Sequence, residues 1–391
     1  MTQKANRFKG KRVMKHSKEI TKMDVDGTMG IHLEEETITE ILSRLPVRSL
    51  FRFKCVLKSW MTLINEPYFV KKHLNHAKNN QNSQKICLLN NNLSFQYGLS
   101  LTLASLSPVQ LVEDVQQVDW PCSGEVMSCK IYCCYDGLAL IGVSEYNHLY
   151  NIKLWLWNPS TRESMVLPHI KFSERLDFTC ALGYDSTSND YKIFKIGRES
   201  SNEILALKSG SWRKIDKHPA GIYPLWWSTL DSPAFVHEAF HWLGSLNRSV
   251  VSFHILNEVY VELPMPDGWL VVSDINHLSY GISVLGGLLC VYSTHVHQWK
   301  YNFNLWVMKD YGVKESWNKL FNIQSTDLYP ITPKYWFSDG EVLLHCKYLV
   351  RNRFVFKTSK ESSGLWPQSD SEHFVNGFVY TESLFSPKLL A

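Results

Sequence analysis

The sequence predicts a chain of two unlike parts: a small three-helix unit followed by a large all-β domain of repeated sheets, an α+β multidomain class. Three observations carry that prediction. Residues 33 to 74 place apolar side chains at helical spacing. From Ile86 onward, short runs rich in β-branched and aromatic residues alternate with turn residues. Within that second region a turn-and-strand pattern recurs about every 50 residues. The aromatic load points the same way, since 14 Trp, 18 Tyr and 19 Phe favour strands over helices. With 391 residues and 45% hydrophobic content, the chain can bury a sizeable core in two domains.

The first helix is carried by Ile38, Ile41, Leu42 and Leu45, one face of a 3.6-residue period. Pro46 stops it, because proline cannot continue a helix and disfavours the helical region for the residue before it. Ser49 is placed to cap a second helix bearing Leu50, Phe53, Val56, Leu57 and Trp60. Pro67 opens a third, with Phe69, Val70 and Leu74. The unit spans 31–75, and it holds more apolar residues than three short helices can bury against one another. A module of about 40 residues with no disulfide or metal is seldom stable alone. It therefore reads as an element that docks on a partner.

On either side of this unit the sequence is polar. Arg7, Lys9, Lys11, Arg12, Lys15 and Lys18 precede the first acidic residue, Glu19, so residues 1–30 read as a basic disordered tail. A nuclear-import patch or a nonspecific nucleic-acid contact is the competing reading of that tail. Met29 is a second position at which translation could begin. Residues 76–85, within the Asn-rich stretch from Asn75 to Lys85, read as a linker. Residues 86–391 form the β domain.

In that domain Asp136-Gly137-Leu138-Ala139-Leu140-Ile141 resembles Gly286-Gly287-Leu288-Leu289-Cys290-Val291 and Asp339-Gly340-Glu341-Val342-Leu343-Leu344. Leu182-Gly183-Tyr184-Asp185 and Ala239-Phe240-His241-Trp242-Leu243 are weaker copies. Each is followed by a second strand-like run: Leu154–Trp157, Ile204–Leu207, Val251–His254, Leu305–Met308 and Phe354–Phe356. Turn-and-strand units at about 50 residues have the period of kelch-type propeller blades. A single sheet cannot cover both of its faces, so neighbouring units must stack, and closing the ring protects the edges. Five units are visible, with Ile86 to Lys130 available for a further blade, and the blade number stays open.

No apolar run reaches the 18 residues or so that a membrane span needs; the best, Ile282 to Tyr292, is interrupted by Gly286-Gly287. The N-terminus has no apolar signal-peptide core. The net charge of +4 is modest and much of it comes from the tail, so neither a membrane nor a nucleic acid is the expected partner. Nine cysteines, an odd count at irregular spacing, indicate reduced thiols and a cytoplasmic or nuclear setting. Cys122, Cys129, Cys133 and Cys134 cluster without a C-x-x-C pair and read as small core residues.

One motif competes with a binding role. His237-Glu238-Ala239-Phe240-His241 is a literal H-E-x-x-H, which on a helix places two imidazoles toward zinc with the glutamate as general base. Here Ser232-Pro233 precedes it, Trp242-Leu243-Gly244 follows, and it lies in register with the repeated strands. In a strand, residues four apart are roughly 13 Å apart and cannot share a metal. A strand is the expectation and a metallohydrolase the remote alternative. No phosphate-cradling or nucleophile-elbow motif is present, so no catalytic residue, metal or cofactor is expected.

The helical unit resembles an F-box. The matching pieces are Leu33, Ile41-Leu42-Ser43-Arg44-Leu45-Pro46-Val47-Arg48-Ser49-Leu50, Arg52-Phe53-Lys54-Cys55-Val56, Lys58-Ser59-Trp60 and Leu63-Ile64. The family's usual Leu-Pro opening is Leu33-Glu34 here. Leu57 and Met61 stand where the family carries a Cys or Ser and an Arg. The β domain resembles the F-box-associated domain of a large plant family, which includes S-locus F-box and F-box/kelch-repeat proteins. That match rests on Leu156–Arg162, Leu182–Asp185 with Asp190-Tyr191-Lys192, and Ser209–Arg213. It continues in Leu305–Trp317 and in Tyr380–Leu384 with Ser386-Pro387.

The resemblance implies a noncatalytic substrate receptor of a Skp–cullin–F-box ubiquitin ligase. Its F-box would dock a Skp-type adaptor, and through it the cullin–RING ligase. The β domain would hold a target protein whose identity the sequence does not give. Leu33, Ile41, Leu42, Leu45, Pro46, Leu50, Val56 and Trp60 are the expected adaptor-binding residues. Tyr223, Trp226 and Trp227, aromatic residues between two expected blades, are candidates for the target face. A propeller scaffold whose F-box no longer docks is the alternative that the departures at Glu34, Leu57 and Met61 suggest.

Overall fold

The computed structural model describes residues 33–92, 98–106, 116–121, 126–145, 152–169, 178–197, 201–218, 232–244, 249–269, 279–297, 300–326, 328–348, 351–357, 365–366 and 374–390. The N-terminal unit has four helices rather than three: α1 (Glu35–Leu42), α2 (Val47–Phe53), α3 (Lys58–Asn65) and α4 (Pro67–Lys78). The helix expected from Leu50 to Trp60 breaks at 54–57. There the amides of Cys55 and Val56 donate back to Arg52 O and Phe53 O, both at 3.1 Å, in the tight i→i+3 pattern that ends a helix. Leu57 then turns extended (φ −141°, ψ 141°) and caps α3. Ser49 is not a cap; extended Pro46 occupies that position, and its carbonyl takes the amides of Ser49 and Leu50 at 2.9 and 3.1 Å. Proline suits the place because no intrahelical bond is asked of its missing N–H.

Leu42, Val47, Leu50, Leu63, Ile64 and Phe69 form the core of these helices, and one further buried side chain, Leu384, joins them from the other end of the chain. The segment 76–85 is not a linker. The last turn of α4 buries Ala77, a 3-10 turn covers Gln81–Ser83, and the first strand starts at Gln84. Buried Gln84 donates from Nε2 to Ala77 O at 3.1 Å, so the helix passes directly into the β domain.

Six four-stranded antiparallel sheets follow. Blade 1 contains β1 (Gln84–Asn92), β2 (Gly98–Ser105) and β3 (Gln116–Val118). Blade 2 contains β4 (Val126–Tyr135), β5 (Leu138–Glu145), β6 (Ile152–Trp157) and β7 (Ser164–Val166). Blade 3 contains β8 (Phe178–Asp185), β9 (Asp190–Gly197), β10 (Asn202–Ala206) and β11 (Ser211–Ile215). Blade 4 contains β12 (Ala234–Val236), β13 (Ala239–Leu243), β14 (Val250–His254) and β15 (Tyr260–Leu263). Blade 5 contains β16 (Ser279–Leu285), β17 (Leu288–His297), β18 (Lys300–Met308) and β19 (Trp317–Ser325). Blade 6 contains β20 (Leu328–Trp336), β21 (Val342–Tyr348), β22 (Arg351–Lys357) and β23 (Leu365–Trp366). The last strand, β24 (Phe374–Thr381), returns to blade 1 and gives it the order β24-β1-β2-β3.

The sheets close into a six-bladed propeller. The innermost strands β24, β4, β8, β12, β16 and β20 each touch the next, and β20 meets β24. They surround an axial cavity of about 630 Å³, lined among others by Cys133, Leu182, Phe235, Ser283, Pro333 and Phe378. Each junction between blades has its own buried cluster. Cys87 and Ala139 share one between blades 1 and 2, Leu140 and Leu182 between 2 and 3, and Phe194 and Phe240 between 3 and 4. Leu243 and Leu289 meet between blades 4 and 5, Cys290 and Leu344 between 5 and 6, and Leu343 and Ile86 between 6 and 1. Neighbour-on-neighbour stacking of this kind is what a repeat needs when a lone sheet would leave both faces wet.

The repeat markers have two different physical causes. Gly137, Gly287 and Gly340 sit at positive φ in the turn after an innermost strand, where a side chain is disfavoured, and Ala239 opens the strand after the equivalent turn. Gly183 instead lies within β8, where an added Cβ would come 2.4 Å from the ring of Phe235 on blade 4. It is a close-approach glycine, and the turn of its blade falls later, at 186–189. Blade 1 escaped the repeat pattern because its innermost strand comes from residues 374–381, so no hairpin turn precedes β1.

Candidate docking surface

The turns after the innermost strands all lie on one face of the propeller, and the helical unit packs there. Lys78 Nζ of α4 reaches Asp136 Oδ1 at 2.5 Å in the turn of blade 2, and Tyr191 OH donates to Asp136 Oδ2 at 3.0 Å. Lys78 also lies over the Tyr135 ring at 5.6 Å and Lys71 over Tyr184 at 5.9 Å. The segment after β24 runs between the two domains. Glu382 N donates to Ser83 O at 2.8 Å. Fully buried Asn158 donates from Nδ2 to Ser383 O at 3.0 Å, Ser383 Oγ at 3.1 Å and Phe385 O at 2.7 Å. Gly137 leaves room for this segment, since a Cβ there would meet Ser383 Oγ at 2.3 Å and Thr381 O at 2.6 Å.

The expected adaptor-binding residues divide into three groups. Leu33, Ile41 and Val56 are exposed, at 44%, 48% and 58%, and Pro46 is exposed as well. Leu45 and Trp60 are half-buried, with the Trp60 ring edge-on to Phe53 at 5.5 Å. Leu42 and Leu50 are buried in the helical core, so they shape the surface from beneath and offer a partner nothing to touch. Four further side chains are exposed beside them: Leu57 and Met61, read in the sequence as departures from the family pattern, and Phe51 and Tyr68, which the sequence reading did not single out. Among the described residues thirteen large apolar side chains are exposed, and seven of them lie between Leu33 and Tyr68. An apolar concentration of this kind marks an interaction surface rather than ordinary surface scatter.

Charge surrounds this apolar surface unevenly. Between Glu40 and Glu66 the sequence has five basic residues, Arg44, Arg48, Arg52, Lys54 and Lys58, and no acidic one. On α2, Arg48, Phe51 and Arg52 fall at i, i+3 and i+4, so cations flank the exposed ring on one helical face. Glu40 braces α1 to α4: it takes Arg44 and Lys72, the latter at 2.7 Å, with His76 at 3.8 Å. Hydrogen bonds from Lys72 and Arg44 hold its carboxyl at about 2. Buried His73 bonds through Nε2 to Leu45 O at 3.0 Å and fixes the Leu45-Pro46 corner; burial pushes its pKa down.

The H-E-x-x-H motif is a hairpin, not a helix. His237 and Glu238 form its two-residue turn at φ +50° and +57°, and His241 lies buried in β13. His241 donates from Nδ1 to Ala234 O at 3.3 Å and accepts from Tyr311 OH at 2.7 Å through Nε2. Burial pushes its pKa down to about 3, so the ring is neutral and serves the junction of blades 4 and 5. The two histidines therefore do not share a face toward one metal. Among the described residues, no three His, Cys, Asp or Glu side chains are grouped to hold a metal ion. Cys133 and Cys134 belong to β4, where the Cys133 thiol accepts from Leu182 N at 3.2 Å and burial pushes it up to about 12.

Tyr223, Trp226 and Trp227 lie outside the described residues. The described ends that bracket them, at 218 and 232, belong to the connection from β11 to β12.

A family model described as the F-box domain matches residues 32–72, and one described as the F-box associated beta propeller domain matches residues 91–362. Several curated proteins are similar to this chain over most of its length. An F-box/kelch-repeat protein of Arabidopsis thaliana is 27% identical over 333 residues, covering 80% of this chain and 85% of its own length. A second F-box protein of the same plant is 28% identical over 341 residues, covering 77% and 75%. The F-box protein CPR1, also from Arabidopsis thaliana, is 27% identical over 320 residues, covering 74% and 72%.

Proposed function

The chain belongs to the F-box proteins that carry an F-box associated β-propeller domain, and from that premise we propose that it is a substrate-receptor subunit of a Skp–cullin–F-box ubiquitin ligase. The observation that carries the proposal is the concentration of exposed apolar side chains on α1 to α4. Seven lie between Leu33 and Tyr68, on a unit whose other face is already committed to the propeller. Leu33, Ile41, Phe51, Val56, Leu57 and Met61 would meet the Skp-type adaptor. Leu57 and Met61 thus belong to the surface itself, which supports docking over a scaffold that has lost it. The run Arg44 to Lys58, free of acidic residues, favours an adaptor surface with an acidic rim and gives the encounter electrostatic steering.

The receptor does no bond chemistry in this reading. It raises the effective concentration of target lysines near the ubiquitin-conjugating enzyme that its ligase partners recruit. The target would dock on the propeller face away from the helices, where loops held on a rigid scaffold can vary without disturbing the blades. The odd and irregular cysteine pattern supports a cytoplasmic or nuclear setting.

Co-purification with a Skp-type adaptor tests this. A stoichiometric complex at micromolar concentration, weakened by Phe51→Ala together with Val56→Asp, is the expected result. Well-folded protein that forms no such complex would overturn the proposal.

A further inference from the structure

We propose that Leu384, near the far end of the chain, is a positioning residue for the adaptor-docking surface, so that closing the propeller and completing the F-box are one coupled event. The inference rests on the receptor reading above. Leu384 is 8% exposed and lies in the helical core with Leu42, Val47, Leu50, Leu63, Ile64 and Phe69. Among the described residues, no other one of the β domain belongs to that cluster. Leu50 and Ile64, both fully buried there, sit on α2 and α3, the helices that present Phe51 and Met61 outward.

The next residue points the other way. Phe385 packs against the core between blades 2 and 3, its ring 5.8 Å from Tyr191. Adjacent side chains of an extended segment point to opposite sides, so one short stretch enters two cores at once. Its position is set by β24, which ends three residues earlier at Thr381 and pairs with β1. Asn158 and Gly137 of blade 2 fix the intervening Ser383, by hydrogen bonds and by clearance respectively. Leu384 can reach the helical core in this way only when β24 has taken its place in blade 1.

Two equilibria that share a side chain are linked, and the linkage runs in both directions. A closed ring supports adaptor binding, and a bound adaptor holds the ring closed.

The test uses the full chain as wild type, Leu384→Ala, Leu384→Met and Phe385→Ala. Adaptor affinity is measured by calorimetry, and the propeller's thermal midpoint by near-ultraviolet dichroism with and without adaptor. Leu384→Ala is expected to weaken adaptor binding at least tenfold and to abolish most of the adaptor-induced rise in the midpoint. Leu384→Met should restore both to within about threefold of wild type, because its volume and flexibility suit the same gap. Phe385→Ala should lower the midpoint while leaving the affinity of the folded fraction within about twofold. If Leu384→Ala does not fold, Leu384→Val carries the same comparison with a smaller loss, about threefold.

Adaptor binding by Leu384→Ala within twofold of wild type, or an unchanged adaptor-induced rise, overturns the inference while leaving the receptor reading intact. Absence of adaptor binding by wild type itself would instead remove the receptor reading, and the inference with it.

Discussion

The helical unit and the propeller treat their apolar residues in opposite ways. In the propeller each sheet finds cover in the next, and six buried clusters occupy the six junctions. In the helices a core of six of their own residues needs Leu384 to complete it, while seven large apolar side chains face outward. The difference is one of closure. A ring of repeats can satisfy every face internally, whereas short helices have too little volume beneath them and must borrow from neighbours. A receptor benefits from both, since the rigid ring gives a fixed platform and the unsatisfied helices give a site for a partner.

The sharpest way to break this contrast is to attack a junction in the ring. Phe194 stacks on Phe253 at 4.8 Å and Phe240 at 5.2 Å between blades 3 and 4. Phe194→Ala should cost about 3–5 kcal/mol, read as a loss of unfolding free energy in a denaturant titration. Equal stability of the variant would mean that the junctions do not carry the ring.

A neighbouring pair of positions separates core from surface within one helix. Leu50→Ala should destabilise the protein by about 2–5 kcal/mol, because a fully buried leucine leaves a cavity. Phe51→Ala, one residue on, should change stability by less than about 0.5 kcal/mol yet weaken adaptor binding about tenfold. Thermal melts and binding isotherms on the two variants decide the matter, and similar profiles would erase the proposed division.

Acid should probe the ring before the exposed brace. His241 has a folded pKa of about 3, below the 6.5 of an unperturbed histidine. Its contribution is therefore complete above pH ~6.5 and lost as pH falls from there toward ~3, because the unfolded chain takes up the proton first. Glu40, held at about 2, contributes stability that is complete above the usual carboxylate range and lost only as pH falls toward ~2. His241→Gln should flatten the stability profile between about pH 4 and 6 by up to one proton. Glu40→Gln should leave the profile unchanged above about pH 5.5 and act only below it. Buried His73 leans in the same direction as His241, so the double variant with His73→Gln should flatten the profile further.

The gentlest perturbation is salt. Adaptor association should slow about tenfold between roughly 50 and 500 mM salt if cations around Phe51 steer the encounter. Arg48→Ser with Arg52→Ser should remove most of that dependence in stopped-flow measurements. A salt-independent rate in wild type would leave docking to the apolar residues alone.

Much of this architecture was legible in the sequence because its causes are local. Period-3.6 apolar spacing announced α1, and the D-G and G-G turns announced three of the hairpins that begin a blade. The third strands of blades 2 to 6 were found, from Leu154–Trp157 to Phe354–Phe356, because their aromatic and branched residues leave no helical alternative, whereas β2 of blade 1 was not. What escaped depends on partners distant along the chain. Gly183 looked like a turn glycine, but it is small because Phe235 of the next blade presses on it. Blade 1 was seen only as the stretch available for a further blade, because its innermost strand, β24, lies far along the chain from β1 and no repeat frames it. Leu42 and Leu50 share a helical face with truly exposed residues, and only the packing of α3 and α4 shows which side of that face is covered. Asn158 stood in the sequence only as part of the Leu156–Arg162 match, whereas its amide holds residues 383 and 385.

The pairing of β1 with β24 also bears on how the protein is made. The helices leave the ribosome before the propeller, and β24, the strand that fixes their last core residue, follows every other described strand. Until then one edge of β1, from Gln84 to Asn90, has no partner, although the segments for the remaining blades have already emerged. Nascent chains would therefore carry an open sheet edge through most of synthesis, the period in which edge-to-edge aggregation is most damaging. Stalled or prematurely terminated copies would retain that edge, and protein-quality control would meet them in that form.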